Sequence, residues 1–102
     1  MEDRMQLGGN IVLSGFKDID SASMVILKKI IGNYVRKMSE HSGKFESLHI
    51  TMKAVHKTEK SEKYEIYAKM VDNGKPFASE AVERNLFIAV DSALKKIMKE
   101  LS

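Results

Sequence analysis

Tyr64–Glu83 reads YEIYAKMVDNGKPFASEAVE, and this stretch decides the fold. On its first half Tyr64, Ile66, Ala68 and Met70 alternate with Glu65, Tyr67 and Lys69, the period of a strand with one buried and one wet face. Asp72-Asn73-Gly74-Lys75 then supplies the Asn-Gly pair of a tight hairpin, whose central positions both need positive φ. The returning strand, Pro76 to Glu83, begins at the only proline of the chain, where a missing N–H is tolerated. A hairpin with one apolar face needs a covering layer.

Upstream, Phe45 to Lys57 (FESLHITMKAVHK) alternates again, with Leu48, Ile50, Met52 and Ala54 against His49, Thr51 and Lys53. Thr58 to Lys63 (TEKSEK) reads as a charged, mobile loop. Before these strands a helix runs from about Ala22 to His41. Leu27, Ile30, Ile31, Tyr34, Val35 and Met38 form its apolar stripe, and Gly32 inside it is a mild cost. Asp20, Ser21 and Ser23 are candidate N-caps, and Ser42-Gly43 is the stop, with Gly43 suited to a left-handed turn. Asn10 to Phe16 (NIVLSGF) reads as a short buried strand. At the other end, Leu86, Val90, Ala93, Leu94, Ile97 and Leu101 stripe a second helix over about Asn85 to Leu101.

The expected order is β-α-β-β-β-α, with residues 1–9 as a flexible lead segment and 10–102 as one domain. The fold class is α+β, a two-layer sandwich of a four-stranded mixed sheet with both helices on one face. The first crossover makes its two strands parallel, and the hairpins make the rest antiparallel. A chain of 102 residues accommodates one such core.

Composition removes several functions. There is no cysteine, which excludes disulfide scaffolds, zinc ribbons and thiol nucleophiles. His41, His49 and His56 lack metal-ligand spacing, and His49 belongs to the wet side of its strand. Ser14-Gly15 has no nucleophile-elbow context, and Gly8-Gly9 no phosphate-loop lysine. Asp18 and Asp20 precede a helix, where capping accounts for them. Asp91, between Val90 and Leu94, reads as a helix-flank residue meeting Lys95 at i+4. The longest uncharged run, Met5 to Phe16, is much shorter than the ~20 apolar residues of a membrane span. No signal sequence is evident, so the expected compartment is the cytoplasm. The reading is of a non-enzyme with no cofactor, no metal and no small-molecule substrate.

What remains is charge. Residues 21–47 carry five basic and two acidic side chains. Lys28, Lys29, Arg36 and Lys37 lie on the first helix, and Lys95, Lys96 and Lys99 on the second. Side by side on a sheet, these cations share one layer, which suits a phosphate backbone because each contact releases counterions. Solvated lysines on amphipathic helices are also routine, so the shared surface carries the argument rather than any one residue. The opposite sheet face offers mainly His49, Thr51, Lys53, Glu65, Tyr67 and Lys69. One tyrosine makes a poor base-stacking platform, which favours shape and backbone recognition of folded RNA.

From Ile11 to Leu101 the chain resembles the short form of the ribosome hibernation factors, the protein Y type of ribosome-associated translation inhibitor. The most specific stretch is Phe77–Leu101. There the family's Ala-Glu-Ala strand, Met-Tyr-Ala-Ala-Ile-Asp helix, Lys-Leu pair and late Arg are similar to Glu80-Ala81, Leu86 to Asp91, Lys96-Ile97 and Lys99. Ser47 to Met52 is similar to the family's second strand, and Leu27-Lys28 with Lys37-Met38 to its first helix. Asn33 and Tyr34 depart from consecutive lysines, and Glu83-Arg84-Asn85 from the family's acidic turn. The resemblance implies a monomer binding ribosomal RNA of the small ribosomal subunit and inhibiting translation under stress, with Lys28, Lys37, Lys96 and Lys99 as RNA contacts. Two other readings remain open: a double-stranded RNA-binding module, though lysines are missing from the start of its last helix, and a self-association domain using sheet edges.

Overall fold

At Asn73 and Gly74 the chain takes φ of 51° and 78°, the paired positive values of a two-residue hairpin. That turn joins two strands of a computed structural model describing residues 3–101, with only the backbone described at Ala54 and His56. The elements are β1 (Arg4–Gln6), β2 (Ile11–Ser14), α1 (Ser21–His41), β3 (Phe45–Lys57), β4 (Glu62–Asp72), β5 (Lys75–Glu83) and α2 (Leu86–Leu101). Their order in the sheet is β1-β2-β3-β4-β5. The β2–β3 pair is parallel and every other pair antiparallel.

The sheet thus has five strands rather than the expected four. The extra strand lies in segment 1–9, expected to be flexible, of which residues 1 and 2 fall outside the described residues. Arg4–Gln6 folds back on Val12–Ser14 through a turn in which Gly8 and Gly9 take φ of 103° and 55°. The turn is held by Leu7 N–H on the Ile11 carbonyl at 2.9 Å. A strand of three residues leaves no readable alternation in sequence, and its partner's free edge does the work of fixing it.

Both helices cover one face. Leu13, Leu48, Ile50, Ile66, Ala68, Met70 and Ala81 point into a core completed by Met24, Leu27, Ile31 and Met38 of α1 and by Leu86, Ala89, Val90, Ala93, Leu94 and Ile97 of α2. At roughly 2 kcal/mol for each fully buried large aliphatic, this stripe-on-sheet packing holds the two layers together. The helices run the same way, because each returns against the direction of the parallel strands β2 and β3 or of β5, which is parallel to β3. Asp20 caps α1, its carboxylate accepting from the Ser23 N–H at 3.0 Å. Asn85 caps α2 in the same manner, from the Ile88 N–H at 3.1 Å.

Two local expectations need correction. Gly43 is not in a left-handed conformation; the chain leaves α1 at Ser42 with φ −93° and ψ 153°. Only three residues separate α1 from β3, and an extended exit aims the chain directly at the sheet. The loop expected over Thr58–Lys63 is shorter, since Glu62 and Lys63 already pair with Lys57 and His56. Thr58 and Ser61 close the turn, Thr58 N–H donating to the Ser61 carbonyl at 2.8 Å. The long β3–β4 hairpin contributes to a molecule measuring 46 × 27 × 22 Å.

Candidate nucleic-acid interface

All seven sequence-selected cations are exposed, but they do not form one patch. At about 100° per residue, Lys29 and Arg36 lie opposite the buried Leu27–Ile31–Met38 stripe of α1 and point straight away from the sheet. Lys37 stands on the side of α1 that faces α2, its Nζ 5.5 Å from the centre of the Tyr34 ring. On α2, Lys95 and Lys99 occupy the outward side, opposite Val90 and Ile97. Because the helices run in one direction, Arg36, Lys37, Lys95 and Lys99 all belong to the C-terminal halves and converge at one end of the helical layer.

The other two cations lie on opposite flanks. Lys28 borders a cleft with Gln6, Leu7, Ile11, Ile31 and Gly32, on the β1–β2 side of the molecule. Lys96 sits on the β5 side and donates from Nζ to the Glu80 carbonyl at 2.6 Å. The sequence shows which residues are outside a helix. It does not show how each helix is rolled on the sheet, and that rotation separates Lys28 from Lys96.

Between the helices lies a contact that periodicity did not expose. Tyr34 Oη donates to Asp91 Oδ1 at 2.7 Å, tying α1 to α2. Asp91 is therefore an interhelical acceptor, correcting its reading as a flank residue aimed at Lys95. Partial burial, with the carboxylate of Asp91 alongside, pushes the Tyr34 phenol up to about 12. A neutral phenol donating to a carboxylate, with a lysine over its ring, fixes the spacing of the helices beneath the basic surface. The signal available in sequence was the pairing of Tyr34 at a stripe edge with an acid in an apolar helix.

On the far side of the sheet, His49 stays on the uncovered face as its alternation required, with Ser14 Oγ 2.8 Å from its Nε2. Partial burial, reinforced by the charge of Arg4, holds its imidazole below the usual histidine value. Lys53 spans Tyr67 and Glu80, 5.5 Å from the ring centre and 3.5 Å from the carboxylate. Among the described residues no group of three or more His, Asp or Glu side chains is arranged to hold a metal ion. No helix among them is long and apolar enough to cross a membrane.

No protein-family model matches the sequence, and no curated protein matches it either. Solved structures do match. A ribosomal subunit interface protein from Coxiella burnetii superposes with a TM-score of 0.61 at 17% identity, over 90% of both chains. The Thermus thermophilus protein Y N-terminal domain superposes with a TM-score of 0.54 at 18% identity, over 95% of this chain and 96% of that one. The matches span nearly the whole chain. The fold implied by the resemblance to the protein Y type is the fold this chain adopts.

Proposed function

We propose that this chain is a ribosome-binding factor, attaching to RNA of the small subunit through its helical layer and inhibiting translation by occupying that site. The observation that carries the proposal is the fold shared with a ribosomal subunit interface protein and with a protein Y domain. The cluster of Arg36, Lys37, Lys95 and Lys99 supports it, because each exposed cation at this end of the helical layer can meet a backbone phosphate and release its counterions. Lys29 extends this surface along α1, while Lys28 and Lys96 extend it around the flanks. The factor acts in the cytoplasm as a monomer, by occupancy and without turnover, as part of a stress or hibernation response.

Cosedimentation with purified small subunits, at low and then raised salt, tests this. The expected result is binding that weakens steeply as salt rises. Replacing Arg36, Lys37, Lys95 and Lys99 together by Glu should abolish cosedimentation, while replacing them by Gln should flatten the log-affinity against log-salt slope by about 3. Helix content should be unchanged in circular dichroism. Binding by the Glu variant equal to that of the wild type would show the helical layer to be the wrong surface. Absence of wild-type binding at low salt would remove ribosome association itself.

A further inference from the structure

The uncovered face of the sheet pairs its charges in one half and not in the other. Lys53 of β3 meets Glu80 of β5 at 3.5 Å. Such matching is the ordinary way a sheet places charges, since like charges facing each other across strands destabilise it. Near the β1 edge the matching stops. His49 of β3 lies directly across from Lys69 of β4 and from Val12 of β2. Arg4 of β1 lies across from Ser14 of β2, and Ser14 in turn touches His49.

Strands β1, β3 and β4 thus contribute a guanidinium, an imidazole and an ammonium to this side of the sheet, with the Ser14 hydroxyl of β2 between the first two. Strands lie about 4.8 Å apart, so Lys69 starts one strand from His49 and Arg4 two, spans that the long arginine and lysine side chains can cover to reach one tetrahedral oxyanion. The positions around His49 on this face are Ser47 and Thr51 on its own strand, Val12 and Ser14 on β2, and Tyr67, Lys69 and Val71 on β4. None is a carboxylate. The nearest acids in the register, Glu65 and Glu80, stand farther along the face, and Glu80 is held by Lys53. Neither helix covers this side, and among the described residues no carboxylate stands directly across the strands from any of the three groups.

We propose that Arg4, His49 and Lys69, with the Ser14 hydroxyl, form a site for a phosphoryl anion on the uncovered sheet face. Arg4 offers a planar fork to two oxygens, Lys69 a point charge to a third, and His49 its Nδ1, the nitrogen not engaged by Ser14. The site faces away from the helical cations, so the protein presents phosphate-binding groups on both sides of its sheet. Its existence does not depend on ribosome binding.

Nuclear magnetic resonance titration of the histidine side chains tests this, with His41, at the end of α1, as an internal control. Two probes are used at constant ionic strength against a chloride reference: inorganic phosphate, and a short single-stranded oligouridylate lacking terminal phosphates. A bound anion favours the imidazolium, so the His49 midpoint should rise by about half a unit or more while His41 moves less. The Arg4→Ala, Lys69→Ala double variant should lose most of that rise, and the variant with glutamates at positions 36, 37, 95 and 99 should keep it. A response to both probes assigns a general phosphoryl site, and a response to the oligonucleotide alone assigns a nucleic-acid backbone. A His49 midpoint unmoved by either probe overturns the proposal. So does a rise that survives intact in a folded double variant.

Discussion

Tyr34 and Gly15 show how much single positions decide. The phenol of Tyr34 keeps its proton in the folded state up to about 12, against an ordinary 10.0. Between those values the unfolded chain has lost the proton and the folded chain still binds it, so raising the pH favours unfolding. Stability from this group is complete below about pH 10 and drains away towards pH 12. In Tyr34→Phe the alkaline loss should be shallower, and at neutral pH the lost tie to Asp91 should cost about 1 kcal/mol. Thermal melts across pH 7–12 would register it as a fall of about 5 °C at neutral pH. Gly15 is constrained differently. Its φ is 86°, and an added Cβ would stand 2.5 Å from the Met52 carbonyl oxygen. Neither backbone can give way without opening the sheet, so Gly15→Ala should cost about 2 kcal/mol in a denaturant titration. From sequence Gly15 was visible only as a glycine near a strand end, because the approach of β3 is a long-range event.

Among the elements, those with long alternating or helical patterns were legible and the short one was not. The faces of β3 and β4 follow directly from Leu48-His49-Ile50 and Ile66-Tyr67-Ala68, since one buried side forces one register. The hairpin followed from Asn73-Gly74 for a conformational reason that needs no tertiary context. The lead strand β1 has no such signature; its identity comes from the open edge of β2 and from packing of Met5 and Leu7 against the core. Removing residues 1–7 should therefore lower stability by about 2 kcal/mol, two half-buried side chains' worth, and melt about 10 °C earlier in scanning calorimetry. It should also remove any response of His49 to phosphate, because Arg4 goes with it. Melting unchanged within a degree would mean that β1 contributes no cohesion.

For the whole molecule, exposure of the seven helical cations was readable one helix at a time, but their grouping was not. Which cations meet depends on the parallel run of α1 and α2 and on the Tyr34–Asp91 tie, and these separate Lys28 from Lys96 while gathering Arg36, Lys37, Lys95 and Lys99. The cluster around His49 was hidden for a similar reason, since Arg4, Ser14 and Lys69 become neighbours only once three strand registers are known. One further feature bears on how such molecules behave together. The outer strand β5 carries at its second position Pro76, which has no N–H to offer, and the Glu80 carbonyl is already taken by Lys96. A foreign strand laid along this edge would find only Phe77 to Ser79 and Ala81 to Glu83 uninterrupted, too little to hold it. The longest free margin of the sheet is thus poorly suited to recruiting another chain, and a crowded solution of this protein is protected from polymerising there by one imino acid and one lysine.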